Sequence, residues 1–276
     1  MRHHLCSSSL ALLLSVAAFP TYASTSPTIL VPAYFYPGAN DTNWSQLTAA
    51  AGQVKIQAIL NPASGPGTTI DANYSAAVGN LQAAGGSVVG YVHTSWGTRS
   101  LADVKAEIGT YLTQYHVNGI FLDEMATSSD KLNYYGDIYS FIKGQNIGLA
   151  VIGNPGTTTD PGYSKVADSL VSFENYYSNY AAYQPAAFGG SFAAIAHTAA
   201  SAAEMQDVIS SLATKHFDTV YVTDLTGANP YSSLPSYWNQ EVAAVAAIPE
   251  PEMGAMLLAG LGLIGFVGRR KRIKQV

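Results

Sequence analysis

Three carboxylic acids stand where apolar runs of this 276-residue chain end. Asp123 and Glu124 follow the run at 119–122, and Glu174 follows the run at 169–173. Two carboxyl groups that face each other can act as a proton donor and as a nucleophile or base, which is the chemistry that cleaves glycosidic bonds. We therefore interpret these three acids as the candidate catalytic residues.

The elements that would position these acids recur along the chain. Most of the apolar runs are followed by a polar or glycine-rich loop and then by a helix-like segment. Such β-then-α units predict an α/β fold, a (β/α)8 TIM barrel in a single domain, whose catalytic groups lie where the strands end. An open flavodoxin-like sheet normally has about five strands and fits eight units less well. The runs lie at 28–31, 54–60, 88–92, 119–122, 147–152, 169–173, 192–196 and 219–222.

The predicted barrel also sets the spacing of the acids. Glu174 would follow the strand two places round from the strand that carries Glu124. Neighbouring strands lie ~4.8 Å apart, so inward-leaning carboxyl groups can approach to roughly 5–9 Å, a span that covers both retaining and inverting geometries. Side chains alternate along a strand. Therefore either one of Asp123 and Glu124 faces the mouth, or the strand end relaxes enough for both to contribute.

Other polar side chains share the predicted strand ends. We expect His93, His197 and Asp224 to bind sugar hydroxyl groups or to adjust the pKa values of the carboxylates. A zinc site made of these three residues is the alternative. The chain has no H-E-x-x-H motif and no short His-x-His spacing, so we predict no metal ion and no cofactor.

Aromatic residues are concentrated at the same predicted end of the barrel. Their rings present an apolar face with a polar edge or hydroxyl group, as sugar rings do. With the polar residues above, they predict an elongated groove for a chain of sugars and cleavage within that chain. The further residues expected to line the groove are Tyr34, Asn61, Trp96 and Tyr176.

The charge of the chain excludes one class of partner. The stretch 24–248 holds 16 Asp and Glu against 7 Lys and Arg, a formal net charge of −9, and Arg99 is its sole arginine. Nucleic-acid binding needs clustered Lys and Arg to neutralise phosphates, so we predict no nucleic-acid partner. Charge steering favours a neutral or cationic polymer over a polyanion, although an acidic surface also keeps a secreted protein soluble.

Both ends of the chain have the composition of sorting segments. Residues 1–23 combine a basic start, a short apolar core and a Thr-Tyr-Ala cleavage site, which predicts a signal peptide and leaves 24–248 as the barrel domain. Cys6, the one cysteine, lies in that segment, so the mature protein would have no disulfide. Residues 249–276 carry Pro-Glu-Pro, an apolar glycine-rich run and then the basic cluster 269–272.

This tripartite tail resembles the PEP-CTERM sorting signal of exopolysaccharide-producing Gram-negative bacteria. The resemblance implies transient inner-membrane insertion through the apolar run and processing by an exosortase near Pro-Glu-Pro. The basic cluster should stay on the cytoplasmic side. A protein sorted in this way ends at the cell surface or in the extracellular matrix. A plain C-terminal membrane anchor is the alternative.

Several strand-end motifs together resemble one family. They are Val-Pro-Ala-Tyr at 31–34, Asn-Pro-x-Ser-Gly-Pro-Gly at 61–67, Gly-Ile-Phe-Leu-Asp-Glu at 119–124 and Phe-Glu at 173–174. On these motifs the stretch 28–245 resembles spherulation-specific family 4, the spherulin-4-like proteins. The resemblance implies a (β/α)8 barrel and, for some members, hydrolysis of galactosamine-containing exopolysaccharide. It also implies that the important acids are Asp123, Glu124 and Glu174. The loop at 176–190 is less similar and leaves the substrate open.

The sequence therefore predicts a secreted, endo-acting glycoside hydrolase for an amino-sugar exopolysaccharide. We expect Asp123 and Glu174 to form the principal pair, with Glu124 as an acid or a positioning residue. The alternative class is a non-catalytic polysaccharide-binding or extracellular matrix protein that has kept the barrel.

Overall fold

The computed structural model describes residues 26–248, which form one closed barrel of parallel strands. Each strand pairs with the next in sequence order, and the last strand returns to the first, so the predicted (β/α)8 barrel is confirmed. The strands are β1 (Thr28–Ala33), β2 (Lys55–Leu60), β3 (Ser87–His93), β4 (Gly119–Asp123), β5 (Ala150–Gly153), β6 (Ser169–Tyr176), β7 (Phe192–His197) and β8 (Thr219–Val222).

Six α-helices surround the barrel within the described residues. Two connections carry short 3-10 turns in place of a helix, Pro161–Lys165 between β5 and β6 and Tyr177–Ala182 between β6 and β7. The helices are α1 (Asn43–Ala50), α2 (Ala72–Ala83), α3 (Leu101–Thr110), α4 (Leu132–Gln145), α5 (Ala202–Ser210) and α6 (Trp238–Ala246).

Two strands differ clearly from their predicted bounds. β5 begins at Ala150 rather than at 147, because Asn146 Oδ1 accepts the N–H of Gly148 at 2.9 Å and forms a turn that leaves Ile147 79% exposed. β6 continues past the predicted end at 173 and pairs Tyr176 with His197 of β7. The acid at 174 therefore lies within a strand, where the ladder restrains its backbone, and not in the loop that follows.

The outer layer approaches the barrel closely enough to exclude a side chain at one position of β3. A Cβ atom on Gly90 would lie 2.3 Å from the ring of Tyr111, in the turn that continues α3. The Tyr111 hydroxyl donates to the carbonyl oxygen of Leu60, the last residue of β2, at 3.0 Å. This contact fixes the outer layer against the ends of two strands that lead into the mouth.

The barrel closes between β8 and β1 through a short ladder. Thr28 and Ile29 of β1 pair with β8. Farther along the seam, the N–H of Val222 donates to Glu241 Oε1 of α6 at 2.8 Å. Glu241 is fully buried, and burial raises its pKa well above the usual range. The Glu241 carboxyl group thus binds a backbone N–H of β8 beyond the short ladder between β8 and β1.

Two predicted segments, the signal peptide at 1–23 and the sorting tail at 249–276, lie outside the described residues. Between residues 26 and 248 no helix combines the length and the apolar character needed to cross a bilayer.

Candidate active site

One amide group joins the two principal acids. Asn154 directly follows β5, the strand between β4 and β6, and its Nδ2 donates to Asp123 Oδ1 at 2.7 Å and to Glu174 Oε2 at 2.5 Å. Asn154 Oδ1 accepts the N–H of Gly156 at 3.0 Å, which fixes the orientation of the amide. Because both carboxylate oxygens bond the same nitrogen, they lie at most about 5.2 Å apart, the sum of the two distances.

A tyrosine hydroxyl binds the other oxygen of each acid. Tyr91 of β3 donates to Asp123 Oδ2 at 2.7 Å, and Tyr231, in the loop after β8, donates to Glu174 Oε1 at 2.6 Å. Tyr34 lies between these two rings, edge-on to both, with ring centroids 5.8 and 5.7 Å away. Each of the four carboxylate oxygens therefore has a neutral hydrogen-bond donor.

These donors restrict where a proton can sit on the pair. An amide nitrogen can only donate a hydrogen bond, whereas a tyrosine hydroxyl can donate or accept one. A proton on either acid therefore belongs on the oxygen that faces a tyrosine, Oδ2 of Asp123 or Oε1 of Glu174. The pair can hold one proton in this way and keep its hydrogen bonds.

Burial raises the pKa of both acids. For Asp123, burial is the largest cause, hydrogen bonds from Tyr91 and Asn154 oppose the rise, and the charge of Glu124 adds to it. For Glu174, burial again leads, the hydrogen bond from Tyr231 opposes it, and the charge of Asp123 adds to it. Acids this close titrate as a coupled pair, so a single proton can be shared between them.

The strand pleat breaks at Glu124. Asp123 is the last residue of β4, and Glu124 has a left-handed φ of 50°, which is unfavourable for a residue with a side chain. The buried Thr94 stabilises this conformation, because its hydroxyl oxygen lies 3.0 and 2.9 Å from the carbonyl oxygens of Asp123 and Glu124. The relaxed strand end directs the Glu124 side chain to His93, with 3.5 Å between Oε2 and Nδ1.

Arg99 connects the end of β3 to α3. It donates to the carbonyl oxygen of His93 at 2.8 Å and makes two bonds to the Glu107 carboxylate, at 2.6 and 3.1 Å. Gly65, in the loop at 61–67, lies against the same carboxylate. This ion pair therefore braces two of the loops that follow the strands.

Two of the predicted sugar-binding rings are exposed at the strand ends. Trp96, in the turn after β3, is 61% exposed, and Tyr176, the last residue of β6, is 54% exposed. Tyr176 also packs against His197, with ring centroids 4.5 Å apart. Burial lowers the pKa of His197, which favours the neutral form of its ring.

The remaining predicted binding residues make hydrogen bonds inside their own loops. Asn61 Oδ1 accepts the N–H of Gly65 at 3.0 Å. Asp224 accepts the N–H of Ser236 at 3.2 Å and its hydroxyl group at 2.5 Å. Sugar binding by Asn61 and Asp224 stays a prediction.

Within residues 26–248 no group of three or more His, Cys, Asp or Glu side chains is placed to hold a metal ion.

Three residues of the site are not among those predicted from the sequence. Asn154 carries a usable signal, since it directly follows the strand between those of the two acids. Tyr91 is one of the aromatic residues concentrated near the predicted strand ends, but the sequence predicts no bond from it to an acid. Tyr231 lies in a long loop after β8, and no pattern in the sequence indicates that it reaches Glu174.

The fold and the site together define a class of protein. A (β/α)8 barrel that holds two partly buried carboxyl groups close together at the carboxyl ends of its strands is a glycoside-hydrolase-like barrel.

Within this class, the chain belongs to spherulation-specific family 4. The family model with that description matches residues 28–245. The curated protein Spherulin-4 of Physarum polycephalum is 38% identical over 245 residues, which cover 83% of this chain and 73% of that protein. The resemblance inferred from the strand-end motifs is thereby confirmed.

Solved structures share the barrel. Sph3 of Aspergillus clavatus, crystallised in complex with GalNAc, has a TM-score of 0.70 at 24% identity, over 80% of this chain and 98% of that chain. The maltogenic α-amylase AmyB of Thermotoga neapolitana has a TM-score of 0.52 at 10% identity, over 79% of this chain and 75% of that chain. At these identities the likeness is one of fold.

A second family model, the PEP-CTERM protein-sorting motif, matches residues 247–272. This match confirms the resemblance of the tail to that signal. It indicates export to the cell surface or the extracellular space of a Gram-negative bacterium.

Proposed function

We propose that this protein is a secreted glycoside hydrolase that cleaves a galactosamine-containing exopolysaccharide within the chain, with Asp123 and Glu174 as its catalytic pair. The observation that carries the proposal is the amide of Asn154, which holds the two acids together at the mouth. Removing two carboxyl groups partly from water costs free energy that a pair of apolar side chains would not cost. Chemistry, rather than barrel stability, accounts for their presence.

The surroundings of the two acids support a division of roles. Burial and the charge of Glu124 raise the pKa of Asp123 and favour its protonated form. Glu174 receives the shorter hydrogen bonds, 2.5 Å from Asn154 and 2.6 Å from Tyr231, and these favour its ionised form. We assign Asp123 as the general acid and base and Glu174 as the nucleophile. Glu124 is then a positioning residue.

The reaction runs in two displacements. Asp123 gives its proton to the glycosidic oxygen while the Glu174 carboxylate attacks the anomeric carbon, so the leaving sugar departs with a hydroxyl group and a glycosyl ester forms on Glu174. Asp123, now ionised, takes a proton from water as the water oxygen attacks the same carbon. The ester bond breaks, and both acids return to their starting states.

The spacing of the acids supports retention of anomeric configuration. Retaining enzymes have carboxyl groups about 5–5.5 Å apart, and inverting enzymes about 6.5–9.5 Å. The facing oxygens of Asp123 and Glu174 are at most about 5.2 Å apart. Proton NMR of the first product should therefore show the anomer of the substrate. The opposite anomer would overturn the assignment of Glu174 as nucleophile.

The two exposed rings support a groove for a polymer. Trp96 follows β3, on one side of the Asp123 strand, and Tyr176 ends β6, on the other. Both rings are more than half exposed and offer faces on which sugars can stack. Platforms on both sides of the reacting bond suit a chain that extends in both directions, and hence internal cleavage.

The substrate class rests on the family and on charge. Sph3, which shares the fold, was crystallised with GalNAc, and we extend that sugar class to this chain. The net charge of −9 over residues 24–248 suits a neutral or cationic galactosamine polymer better than a polyanion.

The PEP-CTERM match supports the proposed route to the outside. The signal peptide at 1–23 is removed, the apolar run of the tail enters the inner membrane transiently, and an exosortase-type enzyme cuts near Pro-Glu-Pro. Mass spectrometry of the native extracellular protein should detect no peptide from Arg269 onward. An intact tail in the mature protein would contradict processing.

The release of reducing ends from a panel of galactosamine-containing polymers, beside pull-down on the same polymers, tests the function. We expect new reducing ends together with an early fall in polymer length, as internal cleavage requires. Binding without release would favour the alternative, a non-catalytic polysaccharide-binding or matrix protein.

A further inference from the structure

The loop at 223–237, between β8 and α6, delivers one hydroxyl group to the catalytic pair. Tyr231, in this loop, donates to Glu174 Oε1 at 2.6 Å, across 57 positions of sequence. Its buried ring packs against Tyr34 and Tyr221, with centroids 5.7 and 6.4 Å away. The hydroxyl group therefore has a defined place, which depends on the conformation of the loop that carries it.

A polar clamp closes the base of this loop. Asp224, near its start, accepts the N–H of Ser236, near its end, at 3.2 Å, and accepts the Ser236 hydroxyl group at 2.5 Å. The N–H of Leu234 adds a tie to the barrel wall by donating to Asn43 Oδ1 of α1 at 3.1 Å. Ser236 is exposed and Asp224 is partly exposed, so this clamp is separate from the apolar core.

We propose that Asp224 is a positioning residue for the reaction, which holds the Tyr231 hydroxyl group on the Glu174 carboxylate by clamping the loop at Ser236. The catalytic meaning of this role rests on the proposed function, whereas the hydrogen bonds themselves do not. From its position at a predicted strand end, we expect Asp224 to bind sugar. The clamp gives it a role within the protein, because its carboxylate accepts the N–H and the hydroxyl group of Ser236.

The Tyr231 hydroxyl group matters because attack on the anomeric carbon requires ionised Glu174. Burial and the charge of Asp123 raise the pKa of Glu174, and the hydrogen bond from Tyr231 opposes that rise. The other titratable groups that interact with Glu174 are Asp123 from β4, Tyr34 from β1 and Tyr91 from β3.

Carbon-13 NMR of the full chain, labelled at the glutamate carboxyl groups, measures Glu174 directly. The chain has seven glutamates, and Glu174→Gln identifies one resonance. In Tyr231→Phe the pKa of Glu174 should rise by about one to two pH units, because a hydrogen bond to a charged group is lost. Asp224→Asn and Ser236→Ala should also raise the pKa of Glu174, but by less than Tyr231→Phe does.

Kinetics on a cleavable polymer give a second readout. In Tyr231→Phe, kcat should fall roughly 10- to 100-fold with KM little changed. The acid limb of the kcat/KM profile should move to higher pH together with the pKa of Glu174. Asp224→Asn and Ser236→Ala should lower kcat and move the acid limb in the same way, but by smaller amounts. If Asp224 only bound sugar, its replacement would change KM and leave kcat and the acid limb in place.

Tyr163→Phe is the matched control. The hydroxyl group of Tyr163 also donates to a protein acceptor, the carbonyl oxygen of Ser128 at 2.9 Å, away from the acids. This variant should leave the pKa of Glu174 and kcat unchanged even where Tm falls. Circular dichroism confirms that each variant is folded.

The outcomes separate the clamp from the proposed function. A raised pKa in Tyr231→Phe beside an unchanged pKa in both Asp224→Asn and Ser236→Ala would overturn the clamp. An unchanged pKa in Tyr231→Phe would overturn the whole inference. Raised pKa values in a protein that cleaves no polymer would uphold the clamp geometry and overturn the proposed function.

Discussion

Asp123 and Glu174 lie on strands that are not neighbours, yet both accept a hydrogen bond from the same nitrogen atom, Asn154 Nδ2. The strand between them, β5, therefore sets the distance between the two acids. Because an amide nitrogen cannot accept a proton, Asn154 holds the pair together and leaves proton exchange to the oxygens that face Tyr91 and Tyr231.

Replacing this amide should weaken catalysis more than stability. We expect Asn154→Ala to lower kcat roughly 10²-fold or more, because two hydrogen bonds to carboxyl groups are lost and the acids can separate. Asn118→Ala is the matched control, since the Asn118 side chain accepts from Val88 N and Gln82 Nε2, at 2.8 and 2.9 Å, before β4 begins. It should lower Tm and leave kcat unchanged. Equal losses of kcat in the two variants would contradict a special role for Asn154.

The pH profile should identify Asp123 as the acid. In the proposed mechanism Asp123 must be protonated, so kcat/KM should fall as pH rises through its pKa, which burial has raised. Tyr91→Phe removes a hydrogen bond that favours the ionised form, so the pKa of Asp123 rises further and the basic limb moves to higher pH. A basic limb that stays in place, or moves to lower pH, would argue against Asp123 as the proton donor.

The buried carboxyl group of Glu241, which binds β8 beside the closure of the barrel, should make the stability of the protein depend on pH. The pKa of Glu241 is raised in the folded protein, so its contribution is fully present below the unfolded value of about 4.3 and is lost as pH rises through the folded value. The glutamine side chain of Glu241→Gln cannot ionise. The Tm of this variant should therefore exceed that of the wild type by a margin that grows as pH rises from the unfolded value of about 4.3 toward the folded value. A constant difference across the range would show that Glu241 does not titrate in the seam.

The exposed ring of Trp96 should contribute to polymer binding. Trp96→Ala should weaken the binding of a long oligosaccharide by about 1–3 kcal/mol, the range for removing the burial of a large apolar side chain. Calorimetry with an oligosaccharide series measures this loss and should also show affinity that rises with chain length. Ile147→Ala, which alters an apolar side chain that is 79% exposed in the turn before β5, should have no effect. Tightest binding to a monosaccharide would contradict the groove.

The barrel could be predicted from the sequence because strands buried on both faces leave continuous apolar runs. All eight runs correspond to strands, and the two largest errors in their bounds have identifiable causes. A turn closed by the Asn146 side chain moves the start of β5 to Ala150, and pairing with β7 extends β6 to Tyr176. Neither cause depends on hydrophobicity, so the pattern of apolar residues does not reveal it.

The acids, and Asn154 with them, could be placed at the mouth from their positions after predicted strands, but the hydrogen bonds that Asn154 and Tyr231 make to the acids could not be predicted. Asn154 and Tyr231 act through hydrogen bonds to side chains 20 and 57 positions away from them. Such contacts form once the loops are folded, and a sequence pattern limited to neighbouring residues carries no record of them. The left-handed backbone of Glu124 is similar, because Thr94 on the adjacent strand stabilises it.

The most direct test of the account is the rate at which Asp123→Asn and Glu174→Gln release reducing ends from a polymer that the wild type cleaves. Both changes keep the size of the side chain and remove the acid, so circular dichroism and Tm should change little. Each rate should fall by at least ~10²–10⁴-fold, the cost of losing acid–base help alone. A rate near that of the wild type in either variant would remove that residue from the mechanism and contradict the catalytic pair.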